Sequence, residues 1–149
     1  MPSVETKYFG VLPYAGESVF EFPLGLPAFE DQKAFVLIEE PESSPLVFLQ
    51  SLSRANLCFL AFPILVVDRD YQLAIAPEDL EALELETART PALGVDVAVL
   101  ALISLSAEFV ATANLMAPVV LNLKTRRALQ AIRRDRVYSH EHRVEQQAC

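Results

Sequence analysis

The sequence predicts an all-β fold, mainly antiparallel, with one short helix. Short runs rich in β-branched and aromatic residues recur along the chain, with strand starts spaced roughly 8–12 residues apart, as in an antiparallel sandwich or barrel. Pro, Gly, Asn and Asp punctuate those runs, and only one segment carries a helix-start signal.

The runs come in order as residues 6–10 (TKYFG), 18–22 (SVFEF), 34–38 (AFVLI), 47–51 (VFLQS), 57–62 (LCFLAF) and 71–75 (YQLAI). They continue as 95–104 (VDVAVLALIS), 119–122 (VVLN) and 129–133 (LQAIR). Residues 18–22 alternate with the period of two that a strand imposes. Residues 97–105 barely alternate, which marks a central strand buried on both faces or part of a barrel wall. The helix is read over residues 76–83 (APEDLEAL): Pro77 sits where the first turn needs no donor, acids follow, and Leu80 and Leu83 share a face. The PESSP segment at 41–45 joins two strands, and the polar stretch after Tyr138 is expected to fray.

The 149 residues make one ordinary domain, and 52% of them are hydrophobic, enough for a sizeable core. The longest uninterrupted apolar run, residues 57–67, falls well short of the roughly 20 residues a membrane helix needs. The N-terminus has no signal-peptide pattern, so a cytoplasmic protein with no membrane partner is expected. Cys58 lies within an apolar run and Cys149 ends the chain; no disulfide framework is implied.

Charge is segregated. Up to Leu123 the chain has 5 Lys and Arg against 17 Asp and Glu; from Lys124 onward it has 7 against 3. An acidic body disfavours nucleic acid and steers basic proteins towards it. The arginine run at 124–136 lacks the interleaved aromatics of a nucleic-acid site and is as well placed to pair with the acidic body.

Catalytic motifs are missing. His140 and His142 both lie in the polar stretch, and none of the four glycines belongs to a GxSxG elbow, a phosphate loop or a dinucleotide fingerprint. Two histidines are too few for a closed zinc site, and Asp68 and Asp70 flank Arg69 as a solvated loop would. The residues describe a binding protein rather than an enzyme. A barrel holding a flavin, or a nucleic-acid module, is the alternative, and neither has a motif here.

Several stretches then line up with one family: ETKYFG at 5–10, FEFPLGLPAFED at 20–31, FVLIE at 35–39, FLQS at 48–51, DYQLAI at 70–75, TANLMAPVVLN at 112–122 and KTRRALQAI at 124–132. In their order and combination they resemble the bacterial flagellar assembly factor FliW family over residues 5–140. Ala28 stands where the family commonly has glycine. The resemblance implies a compact β-barrel-like single domain, residues 1–138, followed by a polar tail, residues 139–149. It also implies a non-enzymatic protein without a cofactor that binds and antagonises the translational repressor CsrA and binds flagellin. Such a protein is expected to contact no nucleic acid directly and to be a monomer when free.

The partner surface is expected around Phe29, Asp68, Asp70 and Tyr71, plus Asn114. Tyr71 has the character of an aromatic interface anchor, or else packs in the sheet. Thr112 and Asn114 open an apolar stretch interrupted by Pro118, where such residues either satisfy backbone groups at a strand end or leave an edge for a partner.

Overall fold

The chain begins with a two-stranded antiparallel hairpin, β1 (Ser3–Thr6) and β2 (Gly10–Pro13). The computed structural model describes residues 2–108 and 110–144. The strand expected over residues 6–10 is the turn of this hairpin. Thr6 Oγ1 accepts from the Phe9 amide and donates to the Gly10 carbonyl, both at 2.8 Å, and Gly10 adopts φ +68°. A local hydroxyl-to-backbone network and a left-handed glycine make a turn out of residues with high strand propensity.

The main sheet has nine strands. Along its path lie β3 (Val19–Glu21), β4 (Ala34–Glu39), β5 (Val47–Ser51), β6 (Cys58–Pro63), β7 (Val97–Leu105), β9 (Val119–Asn122) and β10 (Ala128–Gln130), each antiparallel to its neighbour. The remaining two, β8 (Ala111–Ala113) and β11 (His142–Arg143), branch from the outer half of β7. The end strands β3 and β10 share no ladder. A single bridge between Glu21 and Arg127, with the Glu21 amide donating to the Arg126 carbonyl at 2.8 Å, brings the two ends together. The sheet is barrel-like without being a closed barrel.

Three apolar clusters follow from strand alternation. Inside the curled sheet, Phe20, Phe22, Phe35, Leu49, Leu100, Val119 and Leu121 pack together, and each large side chain so buried contributes about 2–3 kcal/mol. The opposite face of β7 and β9 (Val97, Val99, Ala101, Val120) packs against Ile64, Tyr71, Leu83 and Leu115. Both faces of β7 are therefore covered, which is why its sequence barely alternates. The third cluster places the hairpin residues Val4, Phe9 and Leu12 over Val36, Ile38 and Phe48.

Among the described residues two α-helices are present where one was expected. The shorter, α1 (Ile64–Val67), falls inside the apolar run that also supplies β6, and no change of periodicity within that run marks the switch. The expected helix is α2 (Pro77–Ala82), with Pro77 at its start and Glu78 and Asp79 in its first turn. Residues 71–75 form no ladder, although Tyr71, Leu73 and Ile75 alternate into the second cluster.

The stretch after Tyr138 does not fray over its described part. The Leu115 amide donates to the Ser139 carbonyl at 3.0 Å, His142 and Arg143 pair with Ala113 and Thr112, and the Val144 amide donates to the Ala111 carbonyl. Residues 145–149, including Cys149, lie outside the described residues. Cys58 is half-buried, and burial pushes its thiol up to about 11, so it stays a protonated small hydrophobe.

Candidate functional site

The stretch from Thr112 to Asn122 is held at both ends by asparagine side chains. Asn114 Oδ1 accepts from the amides of Met116 (3.1 Å) and Ala117 (3.0 Å), while its own amide donates to the Leu102 carbonyl. Asn122 Oδ1 accepts from Lys124 and Thr125, and its Nδ2 donates to the Leu83 carbonyl at 2.7 Å. Pro118 sits between them just before β9, outside the ladder, and its carbonyl accepts from the Ala131 amide. Asn114 thus shapes the loop between β8 and β9, the strand-end role available to a short amide.

Behind that loop lies a buried arginine. Arg133 is only 6% exposed. Its guanidinium donates to Asp135 through Nε (2.8 Å) and Nη2 (2.9 Å), and through Nη1 to the Gln72 carbonyl (2.6 Å) and the Tyr71 hydroxyl (3.2 Å). It also faces the rings of Tyr71 and Tyr138 at 5.4 and 4.8 Å. The Tyr71 hydroxyl in turn donates to the Leu115 carbonyl at 2.8 Å. Burial raises the Tyr71 phenol above its ordinary value, and the hydrogen bonds from Arg133 hold the Asp135 carboxyl below its own. Tyr71, 4% exposed, therefore packs inside the molecule and offers no exposed aromatic anchor.

The turn before it is set by Asp68, whose Oδ1 accepts from the Asp70 amide at 3.0 Å and whose carbonyl accepts from the Tyr71 amide. That use of the Asp68 side chain leaves Asp70 as the exposed carboxylate of the pair.

Phe29 belongs to a tight turn in which Leu26 and Phe29 bridge and Pro27 and Ala28 occupy the central positions. Ala28 has φ +71°. Proline followed by a positive φ is the type II pattern, which prefers glycine at the second position. Gly25, at φ +64°, has no such latitude, because a Cβ there would meet the Glu30 backbone at 2.6 Å. Phe29 itself is half-buried, packed edge-on against Phe59 (5.7 Å) and under Arg54 (5.6 Å).

The loops carrying Phe29 and Asn114 meet at one hollow of about 260 Å³, lined by Pro27, Asn114, Met116, Ala117, Gln130 and Ile132, with His140 at its edge. Of the five expected residues only Asn114 lines this hollow; the Phe29 turn reaches it through Pro27, while Phe29 itself packs against Phe59 and Arg54. Tyr71 is tied to the Asn114 loop only by its hydroxyl bond to the Leu115 carbonyl, and Asp68 and Asp70 lie on the turn that leads into Tyr71. Sequence reasoning missed Arg133 and Tyr138, the pieces that bind the turn, the loop and the C-terminal stretch into one unit. Their one signal was an aromatic in an otherwise polar stretch.

Three of the six basic residues in the run at 124–136 pair with carboxylates: Arg127 with Glu84 (3.0 Å), Arg134 with Glu78 (2.7 Å) and Arg133 with Asp135. Among the described residues no group of three His, Cys, Asp or Glu is arranged to hold a metal, and no helix is long and apolar enough to cross a membrane.

Comparison with known proteins agrees with the architecture. The family model described as FliW protein matches residues 3–144. The flagellar assembly factor FliW of Bacillus pumilus (strain SAFR-032) is 34% identical over 143 residues, covering 95% of each chain. Its counterpart from Bacillus licheniformis is 34% identical over 147 residues, 98% of this chain and 99% of that one. The flagellar assembly factor FliW of Bacillus subtilis (strain 168) is 29% identical over 147 residues, with the same coverage. A crystal structure of the flagellar assembly factor FliW matches with a TM-score of 0.82 and 28% identity, over 97% of this chain and 98% of its own. This chain belongs to the FliW family of flagellar assembly factors.

Proposed function

We propose that this chain is a non-enzymatic regulator that binds and antagonises the translational repressor CsrA and also binds flagellin, coupling flagellin synthesis to flagellum assembly in the cytoplasm. The observation that carries the reading is the match over nearly the whole chain to relatives named as flagellar assembly factors. The charge pattern supports it. The body holds 17 acids against 5 basic residues, and half of the basic run at 124–136 pairs with carboxylates. A basic RNA-binding protein is the partner such a surface favours, with direct nucleic-acid contact disfavoured.

In this reading Phe29 and Asp70 supply contacts, while Asp68, Tyr71 and Asn114 hold the turn and loop that present them. The free protein is a monomer. The test is affinity capture from native lysate with tagged protein at low and moderate salt, with bound proteins identified by mass spectrometry. Recovery of CsrA or flagellin is expected. Recovery of neither, with the bait folded and both present in the lysate, overturns the reading.

A further inference from the structure

The inner core reaches the surface at one end of the curled sheet. The last residues of β4 and β6 and the first residues of β5 and β7 meet there, and α1 runs past them. Together they line an open groove of about 310 Å³, whose floor includes Leu37, Val47, Pro63, Leu65, Leu93 and Leu100. Leu65, which lines it, is 43% exposed, and the chain neighbours of its lining residues Leu65 and Gly94 are exposed apolar side chains too, Val66 at 51% and Val95 at 75%. A second hollow of about 290 Å³ shares Glu39, Val47 and Pro63 with the first and continues past Glu40 and Pro45.

The charge around this groove has one sign. Glu39 lines both hollows and Glu40 the second, with Glu42 in the turn beside them, and no Lys, Arg or His lines either. Among the described residues none of these three glutamates makes an ion pair, although Glu78, Glu84, Glu86, Asp96 and Asp135 all do. An apolar floor with unpaired carboxylates along one wall is complementary to a segment that is apolar in the middle and cationic at its flank.

We infer that this groove is a docking site for a protein segment carrying adjacent apolar side chains flanked by lysine or arginine. The apolar side chains enter between Leu37, Leu65 and Leu100, and the cations lie over Glu39, Glu40 and Glu42. The open form, continuous with the second hollow, suits a length of chain rather than an enclosed small molecule. The groove is separate from the Asn114 hollow; no residue lines both. The inference rests on the proposed function in one respect: the basic repressor is the partner in which such a segment is sought.

The test is calorimetric titration of purified CsrA into the full chain, its Leu65→Asp and Glu39→Lys variants, and Glu108→Lys as a control at the far end of β7. Melting curves establish that each variant is folded. Both groove variants are expected to weaken binding by about tenfold or more, as loss of a buried anchor or reversal of a facing charge does, with the control within about threefold of wild type. Unchanged affinity in both groove variants overturns the groove and leaves the proposed function standing. A wild type that binds no CsrA removes the function and this inference together. A wild type that sediments as a dimer, dispersed by Leu65→Asp, makes a second copy the occupant and overturns the inference as stated. Should Leu65→Asp fail to fold, Glu39→Lys on the exposed wall decides alone.

Discussion

At the scale of single residues, Ala28 stores strain that its neighbours explain. A non-glycine residue in the left-handed region costs about 1–2 kcal/mol, and Ala28 sits at φ +71° in a turn whose second central position prefers glycine. Glycine loses more freedom on folding, which takes back about 0.4–1 kcal/mol. Ala28→Gly is therefore expected to raise unfolding free energy by about 0.5–1 kcal/mol in urea titrations; a lower midpoint would show that the turn is unstrained. Asn114 gives the opposite sign. Removing its side chain leaves the Met116 and Ala117 amides without their acceptor, at a cost of about 1–3 kcal/mol. If Asn114→Ala loses stability but keeps partner affinity per folded molecule, its role is support alone; lost affinity at full occupancy of the fold would make it a contact. Asparagine at a strand end made the supporting role legible in advance. The Arg133–Tyr71 hydrogen bond joins residues 62 apart in sequence, a separation no local pattern spans.

At the scale of elements, the C-terminal stretch behaves as a strap. Asp135 is fastened to Arg133, Tyr138 lies against Tyr71 with ring centroids 4.4 Å apart, and β11 pairs with β8. Hydrogen bonds from Arg133, Arg134 and Arg89 hold the Asp135, Glu78 and Asp96 carboxyls below their ordinary values. Depressed folded-state values mean that the stability these groups add is present above their unfolded pKa, about 4, and is lost as pH falls through the lower folded values. Asp79 runs the other way. Burial, with Glu78 nearby, raises its pKa, so its contribution is full below the unfolded value and lost as pH rises through the folded one. Three depressed carboxyls against one raised predict a net fall in melting temperature from pH 6 to pH 3. A melting temperature that holds or rises over that range would count against these pairs as stabilising elements. Strap and hairpin also show which elements a sequence conceals. The strands β5 and β9 coincide with apolar runs because burial alone defines them. Strand β11 is two exposed polar residues, recognisable only by its partner, and the aromatic-rich TKYFG run became a turn because Thr6 and Gly10 act on their own backbone.

At the scale of the whole molecule, the field sets how the basic partner proposed above would be steered in. The chain carries a net charge of −8, and at its cationic end Arg127 and Arg134 lie against Glu84 and Glu78. Most of the remaining acids among the described residues face solvent, and Asp70 is among the exposed ones. Its carboxylate makes no ion pair among the described residues, whereas Asp68 uses its own to hold the turn. Asp70→Lys is thus the cleaner reversal, altering the field without dismantling the turn. If the proposed CsrA binding holds, stopped-flow association with CsrA is expected to slow severalfold at low ionic strength, with a shallower salt dependence and little change in dissociation, as a rim charge acts on encounter. The difference between variant and wild type should vanish near 1 M salt, where the screening length is about 3 Å. A variant that associates as fast as wild type at low salt would take Asp70 off the encounter surface. A variant that instead dissociates faster would place Asp70 inside the contact, as one partner of a desolvated pair.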